Sequence, residues 1–110
     1  MIFIDCTLRD GGYYNSWDFE THLINDYLKA MDSLQIDYVE IGFRSLNNNG
    51  FKGALAYSTD TFLKTISIPK GLKNKIGVMI NGAEIKESKT QISNLKKLFS
   101  KKNHQSVLCV

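Results

Sequence analysis

The chain has 110 residues and a formal net charge of +3, with 43% hydrophobic and 23% charged side chains, the make-up of an ordinary soluble globular domain with a modest core. No apolar stretch approaches the roughly 18 residues that span a bilayer, and Met1-Ile2-Phe3-Ile4-Asp5 lacks the basic region and cleavage site of a signal peptide. Cys6 and Cys109 are too few for a disulfide framework and have no metal-type spacing, so a reduced cytoplasmic setting without a membrane partner is expected.

Short β-compatible runs alternate with helical stretches, and no internal repeat, low-complexity tract or linker interrupts them. Ile2 to Leu8 is apolar and β-compatible and stops at Gly11-Gly12, read as a sharp turn. A helix follows, with Ser16 or Asp18 as its cap and Phe19, Leu23, Ile24, Tyr27, Leu28, Met31 and Leu34 at helical spacing. Tyr38 to Phe43 reads as a second strand. Asn47-Asn48-Asn49-Gly50 reads as a loop whose asparagines tolerate left-handed backbone. Thr59 to Ile66 is a short helix ended near Pro69, and Ile76 to Ile80 is a third strand. Ile85, Ile92, Leu95 and Phe99 mark the apolar stripe of another helix. Lys86, Lys89, Lys96, Lys97, Lys101 and Lys102 surround it. No aromatic residues interleave with these lysines, so they read as a solvated face and no nucleic-acid partner is expected. Ser106 to Val110 can begin a fourth strand.

This β-α-β-α-β-α-β order implies an α/β fold with a parallel sheet and crossover helices. Pattern alone does not separate the opening of a barrel from an open doubly wound sheet. A complete (β/α)8 barrel takes about 250 residues, so residues 1–110, read as one domain, supply at most its first half.

The most unusual segment is Asp5-Cys6-Thr7-Leu8-Arg9-Asp10-Gly11-Gly12, with two acids and an arginine at the end of an apolar strand. In parallel α/β folds, ligands bind where strands end at their carboxyl side. Arg9 presents a planar fork of donors suited to a carboxylate or enolate oxygen. Asp10 presents the hard oxygen that Mg²⁺ or Mn²⁺ prefers. On chemistry alone, an Arg9–Asp10 surface ion pair beside a turn is an equal reading. Cys6, inside the strand, reads as a small buried side chain rather than a nucleophile. Tyr13, Tyr14 and Trp17 either line a pocket mouth or pack the strand–helix turn.

The run from Asp5 to Gly11 resembles the N-terminal signature of the DRE-TIM metallolyases. That superfamily includes isopropylmalate and homocitrate synthases, hydroxymethylglutaryl-CoA lyase, 4-hydroxy-2-oxovalerate aldolases and the carboxyltransferase domain of pyruvate carboxylase. Tyr38-Val39-Glu40-Ile41-Gly42-Phe43-Arg44-Ser45 is similar to the family's second strand. Gly53 to Asp60 and Lys75-Ile76-Gly77-Val78-Met79-Ile80-Asn81 are similar to the aldolase branch. The resemblance implies the N-terminal portion, three to four β/α units, of a TIM (β/α)8 barrel. It implies that Arg9 binds carbonyl and carboxylate oxygens of a 2-oxo acid and stabilises its enolate. It also implies that Asp10 ligates a divalent metal, Mn²⁺ or Mg²⁺, and that Glu40 is a second-strand acid inside the barrel. Alternation agrees: with Val39, Ile41 and Phe43 toward the helices, Glu40 and Gly42 face the interior. A buried acid needs a partner, so Glu40 is expected to orient Arg9, in a catalytic or a purely structural pair.

Two departures qualify the resemblance. Bacterial 4-hydroxy-2-oxovalerate aldolases carry a histidine base three positions after the metal-binding aspartate. Tyr13 stands there instead, a phenol that ordinarily titrates near pH ~10, so Tyr13 is a candidate catalytic residue and the general base stays open. The family's His-x-His pair on a late strand has no counterpart either. His22, in the first helix, and His104, in a Lys/Asn-rich turn, read as solvated. The tail from Asn103 to Val110 fits the family poorly, and the remaining metal ligands are not expected in this chain.

The function expected is that of a fragment of a divalent-metal-dependent aldolase or lyase. Its small-molecule partner would be a 2-oxo acid such as pyruvate, or the aldol adduct of one. The carbon–carbon bond beside the carbonyl would be made or broken through an enolate. One alternative is an acyl-CoA/2-oxo acid condensing synthase of the same superfamily. Another is a truncated, inactive chain that acts as a binding or assembly module, or has no role. In either case, exposed sheet edges are expected to favour self-association. A nucleotide-binding open sheet is disfavoured, because Arg9-Asp10-Gly11-Gly12-Tyr13 is not a phosphate-cradling glycine motif.

Overall fold

The β-branched and aromatic runs of the sequence form strands, and the stretches of helical periodicity cross between them. In the computed structural model, residues 1–86 and 91–99 are described, together with the backbone of 107–109. Four parallel strands make one sheet in chain order: β1 (Ile4–Asp5), β2 (Tyr38–Phe43), β3 (Ile76–Met79) and β4 (Val107–Cys109). The helices are α1 (Thr7–Asn15), α2 (Thr21–Ser33), α3 (Asp60–Leu63), α4 (Gly82–Lys86) and α5 (Gln91–Leu98). Ile24 and Leu28 lie one turn apart on α2 and are buried with Val39 and Ile41 of β2 and Ile76 and Val78 of β3. Leu8, Leu55, Leu63, Ile66 and Leu72 complete this core. Among the described residues, no helix is long and apolar enough to cross a membrane.

The first strand is shorter than its apolar run. The Asp5 carboxylate accepts from the Thr7 N–H at 3.0 Å and from Thr7 Oγ1 at 3.2 Å. A side-chain acceptor thus replaces the partner a sheet would provide, and α1 begins at Thr7. Gly11 and Gly12 therefore lie inside a helix and not at a turn. The turn comes at Ser16 and Trp17, both at φ 57° in the left-handed region, with the Ser16 N–H closing α1 on Gly12 O. Because Ser16 ends α1, it is not available to cap α2, which starts at Thr21 after Glu20. Gly12 is required by contact: a Cβ there would come within 1.9 Å of Trp17 Cδ1.

The second departure is in β2. The pairing of β2 with β3 shifts between Glu40 and Gly42, so that Ile41 is an extra residue on the β2 side. A bulge of this kind resets which face each later side chain meets. Val39, Glu40 and Ile41 are all buried, but beyond the bulge the expected alternation inverts. A Cβ on Gly42 would lie 2.0 Å from the Leu55 carbonyl oxygen, on the core side. The Phe43 ring instead meets Tyr13 and Trp17. Phe43, expected toward the crossover helices, thus meets the rings of α1 and its exit, and Gly42, expected toward the interior, meets Leu55.

Smaller differences have local causes. The left-handed position of the asparagine-rich loop is Gly50, at φ 73°, and not an asparagine. Thr59 caps α3 by accepting from the Phe62 N–H at 3.1 Å, and that helix ends at Leu63. The single helix expected through Ile85 and Phe99 is found as α4 and α5, and residues 87–90 lie outside the described ones. Ile92 and Leu95 are exposed, so the predicted stripe does not dock along its length. The end of α5 is held by Arg44 of the β2 exit, whose Nη1 donates to Leu98 O at 2.6 Å and whose guanidinium sits 4.8 Å from the Phe99 ring centroid. Lys86, Lys96 and Lys97 are exposed. Lys89, Lys101, Lys102 and His104 lie outside the described residues.

Candidate functional site

Because all four strands are parallel, α1 leaves β1 at the same sheet end where β2 ends at Phe43 and β3 ends at Met79. Arg9, Asp10 and Tyr13 ride on α1, and Glu40 projects from β2. Arg9 Nε donates to Glu40 Oε2 at 2.9 Å, and Arg9 Nη1 donates to Asp10 Oδ1 at 2.6 Å. Exposure falls along this chain of charges, from 58% for the Asp10 side chain to 18% for Arg9 and 5% for Glu40. Partial burial works against the Arg9 charge, but Glu40 and then Asp10 outweigh it and raise its pKa. The guanidinium is therefore permanently charged and held on two sides. Its Nη2 has no protein partner among the described residues, and neither has Glu40 Oε1.

The backbone behind Arg9 is also fixed: Trp17 Nε1 donates to the Arg9 carbonyl at 2.9 Å. Asp10 is committed on both oxygens, since Cys6 Sγ lies 3.4 Å from Oδ2. Cys6 is half-buried at the start of α1 rather than inside a strand. Burial and the neighbouring Asp10 push its thiol pKa up, which suits a donor and not a nucleophile. Asp5 belongs to the scaffold. Burial tends to raise its pKa, but the hydrogen bonds from the Tyr27 hydroxyl and from Thr7 prevail and hold the carboxyl below its usual range. Tyr27 is shifted the other way, upward, by burial and by Asp5.

A divalent metal asks for several hard ligands at once. Among the described residues, no group of three or more His, Cys, Asp or Glu side chains is placed to hold one. Asp10 alone, with Arg9 and Cys6 on its oxygens, does not make a metal centre.

Tyr13 lies one helical turn beyond Arg9, and among the described residues no hydrogen bond joins it to Glu40 or Asp10. It joins Trp17 at a ring-centroid distance of 4.8 Å and Phe43 at 6.2 Å, and Trp17 meets Phe43 at 5.4 Å, all edge-to-face. These three rings wall a groove of about 190 Å³, whose polar lining includes Ser45, Lys52 and Glu84. Tyr13 is 66% exposed and Tyr14, outside this cluster, 96%. His22 is exposed too, with Nδ1 3.2 Å from Glu20. Arg44, in the same strand exit as Phe43, is buried and tied to Ser58 O, Leu98 O and Asp60, so its role is structural. The sequence reading missed Phe43, Ser45, Lys52 and Glu84 as groove residues. No spacing signal marks them, because a bulge and a long loop bring them together.

No protein-family model matches the chain, and no curated protein matches it. A crystal structure of the N-terminal domain of a candidate aldolase from Bacteroides vulgatus does. The match has a TM-score of 0.66 and 32% identity and covers 89% of this chain. It covers 33% of the solved chain, so the present sequence spans about a third of that chain's length. The shared α/β architecture and the identity make this chain similar to the opening part of an aldolase-type protein.

Proposed function

We propose that the chain supplies the opening β/α units of a barrel lyase that acts on a 2-oxo acid or its aldol adduct. The observation that carries the reading is the Arg9 clamp. A guanidinium held by buried Glu40 at 2.9 Å leaves Nη2 without a hydrogen-bond partner among the described residues, at the carboxyl end of a parallel sheet where such folds bind ligands. Two neighbouring carboxylates neutralise the charge at rest. A substrate carbonyl that becomes an enolate oxygen beside Nη2 would then meet an oriented donor, and this is electrostatic stabilisation of developing charge. Glu40 is a positioning residue in this scheme. Likeness to the N-terminal domain of a candidate aldolase supports carbon–carbon lyase chemistry over the other options. A Mg²⁺ or Mn²⁺ ion enters the proposal only through Asp10, which would give it one carboxylate.

Oxalate, a planar mimic of the pyruvate enolate, tests this by calorimetry on the full chain with and without Mn²⁺. Arg9→Lys should weaken oxalate binding at least about tenfold, or ~1.4 kcal/mol, because an ammonium cannot reproduce the oriented fork. Asp10→Asn should remove any gain that Mn²⁺ brings. If Arg9→Lys binds oxalate as well as the parent chain does, the assigned role of Arg9 is wrong.

A further inference from the structure

The groove beside α1 shares Trp17 with the Arg9 clamp, whose carbonyl the indole N–H holds, and adds features the clamp does not use. Tyr13, Trp17 and Phe43 give it three ring surfaces in mutual edge-to-face contact. Lys52 is half-buried at its wall, with Nζ 5.9 Å from the Trp17 ring centroid. Among the described residues, no carboxylate lies within ion-pair distance of Lys52. The loop carrying it is pinned in place, since the Gly53 N–H donates to Ser16 O at 2.8 Å. An ammonium held at the groove wall without a counter-ion among the described residues is available to pair with an anion. Glu84, also in the lining, has one oxygen engaged: its Oε2 accepts from the Leu46 N–H at 2.9 Å.

We infer that this groove is a binding site for a small organic carboxylate with an aryl or branched-alkyl body. The carboxylate pairs with Lys52, and the body lies against Trp17, Phe43 and Tyr13. The volume of about 190 Å³ has room for such a body, since a water takes roughly 30 Å³ of liquid. Apolar walls with one charged anchor are the usual make-up of a small-molecule site. The inference does not need the lyase reading: Trp17 meets the clamp only through its indole N–H on the Arg9 carbonyl, and the Lys52 anchor is separate from it.

Trp17 is the only tryptophan of the sequence, so its indole N–H gives a single, assigned ¹⁵N resonance in the groove itself. The full chain is titrated with 3-phenylpropionate, with its neutral amide and with acetate. The expected result is a saturable indole shift with 3-phenylpropionate, at a midpoint at least about tenfold lower than for the amide or acetate. Lys52→Met should raise that midpoint about tenfold, while Lys70→Met, at an exposed lysine, leaves it unchanged. The midpoint is read rather than the starting position, since losing Lys52 alters the indole's surroundings directly. A well-dispersed spectrum of Lys52→Met confirms that the variant is folded. Equal midpoints for acid and amide, an unchanged midpoint in Lys52→Met, or no saturable shift would overturn the inference. Failure of the oxalate test leaves this result untouched, so the two readings are separable.

Discussion

Asp5 and Tyr27 show how a residue inside a catalytic-looking motif can serve the scaffold instead. The Tyr27 hydroxyl on α2 donates to the Asp5 carboxylate at the end of β1, so one bond joins the first strand to its crossover helix. Removing it in Tyr27→Phe should cost about 1.5–3 kcal/mol, the usual range for a hydrogen bond to a charged group. The pH dependence has a definite sign. Asp5 has a folded pKa below its ordinary value of 3.8, so its contribution is complete above that value and is lost as pH falls through the folded pKa. Tyr27 has a raised pKa, so its contribution is complete below the ordinary phenol range near ~10 and is lost only at higher pH. Urea denaturation should therefore show a constant gap between parent and variant across neutral pH, shrinking as the pH falls below the ordinary Asp value of 3.8. A gap that does not shrink anywhere in the acid range would mean that the bond does not depend on ionised Asp5.

At the scale of elements, the bulge in β2 decides the shape of the site. It turns Gly42 toward the core and Phe43 toward α1, and the ring cluster depends on that inversion. Gly42→Ala would put a methyl group 2.0 Å from the Leu55 carbonyl oxygen, a backbone atom that cannot move alone. Overpacking of this kind costs about 1–3 kcal/mol or more, and thermal denaturation should show a clear loss of stability. The Trp17 indole resonance should shift as well, because Phe43 moves with the strand; a variant as stable as the parent chain would refute the close approach. The order of elements was legible in the sequence, since alternating β-type and helical periodicity survives small boundary errors. Glu40 and its pairing with Arg9 were legible for the same reason, as both precede the bulge. Three features were not legible. The start of α1 depends on one side chain, Asp5, taking over a backbone donor. The inversion at Gly42 depends on a register shift that leaves no mark in composition. The placement of Lys52 depends on a loop hydrogen bond, Gly53 N–H to Ser16 O. All three are set by tertiary contact and not by local pattern.

At the scale of the whole molecule, the first edge of the sheet governs behaviour in solution. Ile2, Phe3 and Ile4 are 68%, 58% and 51% exposed, in or beside β1, which pairs on one side with β2. Parallel sheets are ordinarily covered on both faces, and an exposed apolar edge is a template for another chain. Burying even half of these three side chains would contribute a few kcal/mol, at about 25 cal/mol per Å². The 110-residue chain should therefore self-associate. Light scattering after size-exclusion chromatography should give a mass that rises with concentration, and the double substitution Ile2→Lys/Phe3→Lys should return it toward the monomer. Turnover should be weak whatever the assembly state. Asp10 is a single carboxylate, and the described residues hold no group of three metal-ligating side chains, so tight binding of Mg²⁺ or Mn²⁺ is not expected. Pyruvate release from a 4-hydroxy-2-oxo acid, followed with and without Mn²⁺, should stay near the uncatalysed rate for both the parent chain and the double variant. Robust metal-dependent turnover by the monomeric variant would show that these residues assemble a complete lyase site, and the single-carboxylate account of Asp10 would fall. Self-association that survives the double variant would place the contact elsewhere than at the β1 edge.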